Sequence, residues 1–381
     1  MQTYSTLREL KAIAPQTQIF IPRMTREANP FDELGVNYIP RIGIGRLSRL
    51  YKSTLWYYLE RSVFAWIVLW IMRWRSWRGA RIDVIYVREV ICAYWLSLYA
   101  PRWCGAHVVY EVHHLEQTNH SRPKESWAQS LVARIDEVTL TKPKRLVSLT
   151  HAFRTLLASE NRRDAQLVDI LPDAYNDALY KPGDVQQSRQ HLGIAADINV
   201  ITYAGLTFAY RRLDLLVRAF ARLDDEVRQH TRLIFVGGRT QEVQELQQLV
   251  ASLGITELVT FVGVVPQTVV AEYLRASTIL AIPDTVTDET ASPLKLFEYL
   301  ATGRVVICPD MPALREIIGD DGACTFIRGD ESSLTQQLTS LLGNSDLCQF
   351  HATAGLRAVA PHTYRNRAAA LVSICSRAQD S

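Results

Sequence analysis

The sequence predicts an α/β protein with two doubly wound parallel sheets. Three observations support this fold class. Short apolar runs alternate with helical patterns along the chain, a segment rich in Asn, Asp, Pro and Gly interrupts the alternation at 171–184, and 381 residues suffice for two domains with their own cores. The alternation indicates parallel sheets flanked by helices, and the interruption is the best candidate for a linker.

The first half of the chain opens on a helical pattern at 4–13, followed by a predicted strand at 18–22. A doubly wound domain normally opens on an apolar strand and a tight turn, so we expect the first strand and its loop to be missing. The alternative is a domain that never needed this strand. Further strands are predicted at 83–87, 107–112, 145–149 and 167–171.

The second half of the chain repeats the alternation after the linker. Strands are predicted at 200–204, 233–236, 259–262, 278–282 and 305–308, with helices between them. A final helix is predicted at 364–377, beyond the second unit.

Composition and charge exclude several classes of protein. The net charge of +3 is too small to indicate nucleic-acid binding, although the segment from Arg41 to Arg81 contains nine Lys or Arg and only one acidic residue. Six scattered cysteines without metal-type spacing indicate reduced thiols in a cytosolic protein. The first twenty residues lack a signal-peptide pattern, and the apolar run 63–72 is about half of a membrane-spanning helix.

Residues 292–309 carry the most informative pattern, a short capped helix with two charges on one face. Ser292 is the predicted N-cap and Pro293 the first helical residue, while Gly303 is the predicted left-handed stop. Lys295 and Glu298 stand three residues apart near the positive end of this helix. Such a surface suits a phosphate attached to a hydroxylated sugar.

This segment closely resembles the nucleotide-sugar signature of the retaining glycosyltransferases of family four, which have the GT-B fold. The resemblance implies two Rossmann-like domains that face a cleft, an acceptor-side domain at 1–185 and a donor domain at 186–360, with the helix 361–381 crossing back to the first domain. The missing first strand would also remove the family's acceptor-side loop. The implied reaction moves a sugar from a nucleotide-diphosphate sugar to a polysaccharide, lipid-linked or glycolipid acceptor with retention, without a metal ion.

The resemblance assigns the donor pyrophosphate to Arg211 and Lys295, with Gly205 permitting close backbone approach. The first basic position of the family's loop is Leu206 here. Arg212 either substitutes for it or is a solvated residue at a helix start.

Sugar contacts are implied for a second group of residues. Glu298 matches the family's ribose-binding glutamate, and the family's earlier glutamate falls on Thr290 with Glu289 beside it. Ser292 completes this set, while Gly237 and Val264 lie in loops that resemble those around the nucleotide base. Glu298 as a helix-end acid, and the loops as ordinary turns, are the alternatives.

In the first domain, His113 aligns with the family's active-site histidine at the carboxyl end of a predicted strand, and Arg88 occupies a comparable edge. A purely structural histidine is the alternative.

Trp66, Trp70, Trp74 and Trp77 recur at helical spacing among arginines. This pattern predicts that 55–78 lies on an anionic membrane surface at the inner face of the membrane, unless it is a core helix.

Two other functions remain open. A GT-B nucleotide-sugar epimerase is disfavoured by the pattern at 292–299, and an inactive scaffold that binds nucleotide sugar is favoured by Leu206, Thr290 and the missing strand.

Overall fold

The computed structural model describes residues 2–23, 29–41, 54–117, 129–285 and 292–380. The chain divides into two compact units. Unit 1 comprises Met1–Pro172 and Arg365–Ser381, and unit 2 comprises Asp173–Tyr364. The division therefore falls at 172/173 and not at 185/186, because the segment 173–185 belongs with the second unit.

The secondary structure alternates along both units, which confirms the predicted α/β class. The strands are β1 (Phe20–Arg23), β2 (Asn37–Pro40), β3 (Val84–Val87), β4 (His107–Val112), β5 (Arg145–Ser148), β6 (Val168–Ile170), β7 (Asn199–Ala204), β8 (Thr231–Val236), β9 (Val259–Gly263), β10 (Ile279–Ala281), β11 (Val305–Pro309) and β12 (Cys324–Phe326).

The α-helices of the described residues are α1 (Gln2–Ile13), α2 (Thr54–Trp77), α3 (Val90–Cys104), α4 (Gln129–Thr141), α5 (His151–Ser159), α6 (Val185–Leu192), α7 (Leu213–Ala221), α8 (Asp225–Gln229), α9 (Thr240–Ser252), α10 (Gln267–Ala276), α11 (Leu294–Ala301), α12 (Pro312–Ile318), α13 (Glu331–Leu342), α14 (Ser345–Val359) and α15 (Tyr364–Asp380). Short 3₁₀ turns lie at Pro30–Leu34, Ala165–Leu167, Ala209–Arg211 and Thr256–Leu258.

Unit 1 contains two separate parallel sheets. Four strands pair in the order β3-β4-β5-β6, whereas β1 and β2 pair only with each other. Within the described ranges, no strand joins the pair to the larger sheet. Among its described residues, unit 1 therefore has two separate sheets where the sequence predicted one doubly wound sheet.

Both faces of the four-stranded sheet are covered, and alternation along β4 shows how. Val108 and Tyr110 belong to a core with α2, α3, α4 and α5, whereas Val109 belongs to a core on the other face. That second core contains Leu10 of α1 and four residues of α15, namely Ala368, Leu371, Ile374 and Ala378. The last helix is therefore a structural layer of unit 1.

Unit 2 has one continuous parallel sheet of six strands in the order β12-β11-β10-β7-β8-β9. The chain builds outward from β7 to β9 and then returns to the other side of β7 with β10. The loops after β7 and β10 consequently leave the sheet in opposite directions. Ligands of such sheets bind at the carboxyl ends of the strands at this switch point.

Candidate functional site

The helix α11 lies directly after the switch point of unit 2. Pro293 occupies the N-cap position, so Ser292 is not the cap that the sequence predicted. The Ser292 hydroxyl instead accepts a hydrogen bond of 3.1 Å from the backbone N–H of Asp173. The predicted stop is confirmed, since Gly303 has φ of +68°.

Lys295 of α11 reaches the end of β7. Its Nζ donates a hydrogen bond of 2.6 Å to the Tyr203 hydroxyl and lies 3.8 Å from the centre of that ring. The Tyr203 hydroxyl donates in turn to the carbonyl of Leu206 at 2.5 Å. A Cβ atom added to Gly205 would lie 3.1 Å from Lys295 Nζ. The lysine side chain and the glycine turn are therefore adjacent.

Burial lowers the pKa of the Lys295 ammonium well below its ordinary value, and the positive charge of Arg211 lowers it further. Glu298 acts in the opposite direction. An anion that binds beside Lys295 should stabilise the charged form of its side chain, because the anion replaces the hydration that the ammonium loses on burial.

Glycines line the carboxyl edge of three neighbouring strands. Gly205 has φ of +136° and its N–H donates to the carbonyl of Val236 at 2.9 Å. Gly237 has φ of +94°, and a Cβ there would lie 3.0 Å from the Gly205 carbonyl oxygen. The Gly237 N–H donates to the carbonyl of Gly263 at 2.7 Å. Side chains are thus excluded from this edge, which leaves backbone accessible to a ligand.

Arg211 lies in the short 3₁₀ turn after this edge. Its Nη1 donates a bond of 3.4 Å to the Thr285 hydroxyl, and its guanidinium lies 4.9 Å from the Tyr210 ring centre. The next residue, Arg212, has φ of +51°, a conformation uncommon outside glycine, and its Nε lies 3.3 Å from Asp214 Oδ1. Leu206, in the turn after β7, is exposed and apolar, so it adds no positive charge to this edge.

Glu298 stands one turn after Lys295 on α11. Burial raises the pKa of its carboxyl to about 7, while the charge of Lys295 and a hydrogen bond with Tyr180 lower it. Tyr180 comes from the segment at the start of unit 2. A carboxyl with a pKa near neutrality both accepts and donates hydrogen bonds, which suits hydroxyl recognition.

A second ion pair lies beyond β10. Arg328 donates to Asp284 Oδ1 at 2.8 Å and to the carbonyl of Thr285 at 3.1 Å. The Thr285 hydroxyl also accepts a hydrogen bond from Arg211. The ion pair of Arg328 and Asp284 therefore fixes the segment to which Arg211 is hydrogen-bonded. The predicted sugar contacts Thr290 and Glu289 lie outside the described residues.

The loops predicted around a nucleotide base are both at the carboxyl edge. Gly237 follows β8, and Val264 follows β9 with 85% of its surface exposed. Nothing further in the structure assigns a base contact to Val264.

In unit 1, His113 and Arg88 are brought together. Arg88 Nε donates to His113 Nε2 at 3.2 Å, and Arg88 Nη1 donates to the Thr3 hydroxyl at 2.9 Å. Burial lowers the pKa of His113, so the ring is neutral near pH 7. A cavity of about 150 Å³ adjoins both residues and is lined by Tyr57, Arg88, Glu89, Val90, Tyr110, His113 and His114.

Sequence reasoning missed several participants. Tyr203, which holds Lys295, looks like an ordinary aromatic residue of a buried strand, and Tyr180 lies in the supposed linker. Glu111 did carry a signal, because it is a single charge inside the apolar strand 107–112 and buried charges are normally paired.

The helix α2 carries the predicted tryptophan pattern, but its tryptophans have different environments. Trp66 packs on α3, with ring centres 5.3, 4.9 and 5.6 Å from Trp95, Tyr99 and Trp103. Trp70 and Trp77 are 60% and 83% exposed. Trp66 is half-buried and packs against the core of unit 1, whereas the other two are exposed, and the predicted membrane contact of this helix stays a prediction.

Within the described ranges of the chain, the structure contains no helix that is long and apolar enough to cross a membrane. In the same residues, no group of three His, Cys, Asp or Glu side chains is arranged to hold a metal ion.

Comparison with protein families identifies the segment that contains the unit 2 site. Residues 198–344 match the family described as Glycosyl transferases group 1. This range includes Gly205, Arg211, Gly237, Lys295 and Glu298.

Curated relatives extend the similarity into unit 1. The D-inositol 3-phosphate glycosyltransferase of Nocardia farcinica is 28% identical over 280 residues, which cover 70% of this chain and 60% of the relative. The enzyme of the same name from Acidothermus cellulolyticus is 24% identical over 339 residues, or 85% of this chain and 73% of the relative. The chain thus spans about 60% of the length of the first relatives it matches.

Solved structures show that the fold is GT-B. Anabaena Alr3699/HepE in complex with UDP has a TM-score of 0.76 at 15% identity and covers 98% of this chain and 96% of its own. Sucrose-phosphate synthase from Thermosynechococcus elongatus has a TM-score of 0.73 at 17% identity, with 97% and 91% covered. At these identities the likeness concerns the fold alone.

Proposed function

We propose that this chain, which carries a glycosyl transferases group 1 domain at 198–344, transfers a sugar from a nucleotide-diphosphate sugar to an acceptor with retained configuration. The observation that supports this most is the meeting of Lys295, Arg211 and the glycine edge at the switch point of unit 2. The family resemblance supports the retained configuration.

The donor diphosphate is the best ligand for this edge. Departing diphosphate develops negative charge, and preorganised cations in a partly dehydrated site stabilise it. Lys295, with its lowered pKa, regains full charge when an anion arrives, and Arg211 supplies a permanent charge. The backbone around Gly205 and Gly237 gives the phosphates room to approach.

Glu298 is proposed to bind the ribose hydroxyls. Its carboxyl is held by Tyr180 and lies one helical turn from Lys295, so a nucleotide whose phosphates contact the lysine can place its ribose on the glutamate. Ser292, Thr290 and Glu289 remain proposed contacts of the donor sugar.

Unit 1 is proposed to carry the acceptor side of the reaction. The cavity beside His113 has tyrosines, a carboxylate and a neutral imidazole, which together suit a polyhydroxylated ring. The names of the relatives point to a cyclitol phosphate as one acceptor class, and a glycan or lipid-linked sugar is the other.

UDP and UDP-glucose are suitable probes, because solved structures of HepE contain them. We expect calorimetry to show UDP binding and a coupled assay to show slow release of UDP from UDP-glucose. Binding without release would favour the inactive scaffold, and release with no net transfer to any sugar or cyclitol acceptor would favour a hydrolase. A change of the sugar at C2 would indicate an epimerase.

Proton uptake gives an independent test of Lys295. The pKa of the ammonium is lowered in the free protein and rises beside diphosphate, so binding should take up a proton at some pH between neutrality and the ordinary pKa of lysine, and the measurement is made across that range. UDP itself is almost fully ionised in the alkaline part of this range, since its last phosphate pKa is about 6. Binding enthalpies measured in two buffers with different ionisation enthalpies should differ, and a Lys295→Met variant should abolish the difference.

We further propose that α2 contacts an anionic membrane at its exposed end, which would place the protein at the inner face of the cytoplasmic membrane. Trp70, Trp74 and Trp77 are exposed there, and Arg78 lies 3.9 Å from the ring centre of Trp74. Aromatic rings at headgroup depth with cations beside them match such a surface.

The membrane proposal predicts pelleting with phosphatidylglycerol vesicles and partial release by salt. Trp70→Ser together with Trp77→Ser should remove pelleting without changing thermal unfolding. Phe350→Ser, which alters an exposed aromatic residue of unit 2, is the matched control. Equal pelleting of all three proteins would exclude α2 as the contact.

No metal requirement is proposed, because Lys295 and Arg211 provide the positive charge at the diphosphate. Release of UDP from UDP-glucose should then be unchanged by EDTA. A loss of activity that Mg²⁺ or Mn²⁺ restores would show that a metal ion takes part.

A further inference from the structure

Glu111 is a completely buried carboxylate in the middle of unit 1, with 0% of its side chain exposed. It lies on β4 between Tyr110 and Val112, on the same face as Val109. Tyr86 of the neighbouring strand β3 donates a hydrogen bond to Glu111 Oε2. Because β4 is buried on both faces, this charge requires partners within the protein.

The principal partner comes from the last helix. Arg367 of α15 donates to Glu111 Oε2 at 2.8 Å, and its side chain is 1% exposed. Its Nε donates to the carbonyl of Pro172 at 2.9 Å. The charges of Arg367 and Arg88 hold the pKa of Glu111 well below its ordinary value, although burial acts in the opposite direction.

The other oxygen of Glu111 faces the candidate acceptor site. Oε1 lies 3.0 Å from Arg88 Nε and 2.9 Å from His113 Nε2. Nε2 thus lies near an acceptor, Glu111 Oε1, and a donor, Arg88 Nε, but the carboxylate oxygen makes no hydrogen bond and the Arg88 Nε–H is directed at Nε2, so this ring nitrogen accepts. The single proton of the neutral ring is then on Nδ1, where the ring can donate to a ligand.

A buried ion pair contributes little to stability compared with apolar residues of the same size, because both charges lose their hydration. Stability alone therefore does not explain why Glu111 and Arg367 occupy these positions instead of apolar residues. Its geometry is instead suited to fixing Arg88 and, through Arg88, the tautomer of His113.

We infer that Glu111 and Arg367 are positioning residues: they hold Arg88 and the His113 ring in one orientation, and the last helix thereby determines the competence of the acceptor site. This inference rests on the proposed function, in which His113 contacts a substrate. The consequence is that a residue 254 positions further along the chain than His113 controls its protonation geometry.

Several ionisable groups surround His113, and each can influence its titration. They are Glu111 of β4, Arg88 after β3, Arg367 of α15, and the cavity residues Glu89, Tyr57, Tyr110 and His114. The test must therefore observe the ring itself in addition to activity.

Nitrogen NMR of protein labelled with ¹⁵N-histidine reads the tautomer directly, and His113→Gln assigns the signal. In the wild type we expect a protonated Nδ1 and an unprotonated Nε2. Removing one charge alone leaves the other buried and unpaired, which can unfold the chain. The informative variant is therefore the neutral pair Glu111→Gln with Arg367→Met, in which we expect a mixture of tautomers.

Arg377→Met is the matched control, because Arg377 is on the same helix and also pairs with a carboxylate, Asp169, at 2.8 Å. This control should leave the His113 signal unchanged. The same signal in the neutral-pair variant as in the wild type would overturn the inference, as would a wild-type ring that is protonated on Nε2.

Kinetics with UDP-glucose supply the second readout. We expect kcat for UDP release to fall by about 10-fold to 100-fold in the neutral-pair variant, the scale of a misplaced active-site group, with KM unchanged because the donor contacts lie in unit 2. The conservative variant Arg367→Lys, in which Glu111 is unchanged, should keep more of kcat than the neutral-pair variant. A fall in donor affinity instead of kcat would contradict a positioning role.

The two readouts separate the inference from the proposed function. A wild-type protein that neither binds UDP nor releases it from UDP-glucose would refute the proposed function, while the NMR experiment would still test the positioning of His113.

Discussion

The two units use the same alternation of strands and helices but build their candidate sites differently. In unit 2, one continuous six-stranded sheet ends in glycines, and the candidate binding residues Lys295, Arg211 and Glu298 lie near its carboxyl edge. In unit 1, the strands separate into a sheet of four and a pair, and the candidate residue His113 is attached to charges in the interior.

This difference explains why the two sites are unequally visible in the sequence. A site made by a turn and a helix end depends on neighbouring residues, so its motif is local and short. A site supported by a buried ion network depends on which distant elements are layered together. We therefore expect substitutions of residues in the turn and helix end to impair the unit 2 site, and substitutions of distant packed residues to impair the unit 1 site.

The largest expected effect concerns the packing of unit 1. Trp66→Ala removes a ring that contacts three aromatic residues of α3, so we expect the free energy of unfolding to fall by roughly 2–4 kcal/mol. Trp77→Ala, on the same helix but exposed, should change it by less than about 0.5 kcal/mol. Urea midpoints from circular dichroism would check both. Equal midpoints would place Trp66 at the surface.

In unit 2, the local charge should dominate ligand binding. Lys295→Ala should weaken UDP binding by about 1.5–3 kcal/mol, the usual scale for a hydrogen bond to a charged group. Lys142→Ala, an exposed lysine of unit 1, serves as the control. If calorimetry gives the same dissociation constant for all three proteins, Lys295 does not contact the diphosphate.

Two variants separate the effect of close packing at the glycine edge from the effect of backbone strain at positive φ. Gly237→Ala places a Cβ 3.0 Å from the Gly205 carbonyl oxygen, while Gly254→Ala at φ of +68° meets no atom within 4 Å. Gly254→Ala should cost about 1–2 kcal/mol of stability through backbone strain alone. Gly237→Ala should cost more and also weaken UDP binding. Identical losses in both variants would mean that the edge is not closely packed.

The last expected effect depends on pH and disappears near pH 4.5. The pKa of Glu298 is raised from 4.5 to about 7 in the folded protein, so the folded state binds the proton more tightly than the unfolded state. Ionisation of Glu298 therefore destabilises the fold increasingly from pH 4.5 to pH 7, and fully above pH 7. Glu298→Gln should match the wild type near pH 4.5 and exceed it by about 1–3 kcal/mol at pH 8.

Thermal unfolding across this pH range would test the claim, with exposed Glu257→Gln as the control. A constant difference between Glu298→Gln and the wild type from pH 4.5 to pH 8 would show that the carboxyl has an ordinary pKa.

Much of unit 2 was predictable from the sequence because its signals are periodic or local. The strands at 200–204 and 305–308 are apolar runs with turn signals, and Gly303 ends α11 as expected. The N-cap was misplaced by one residue, since Ser292 bonds to the distant Asp173 and a sequence cannot show which donor lies nearby.

In unit 1, periodicity predicted α2 but not the environments of its tryptophans. Helical spacing places Trp66 and Trp70 on one side, yet only the structure decides that Trp66 is half-buried among Trp95, Tyr99 and Trp103 of α3 while Trp70, which contacts Trp103, stays exposed. Helical spacing fixes angles around an axis, whereas burial depends on the neighbouring element.

The sequence by itself determined the α/β class, the positions of most strands along the chain and the glycine turns of unit 2, because hydrophobic period, helix capping and glycine turns act over a few residues. Only the tertiary structure decided that Tyr203 holds Lys295, that the sheet of unit 1 is divided, and that Arg367 pairs with Glu111. These contacts join residues 92 and 256 positions apart, and such pairings are selected by the free energy of the whole packed unit.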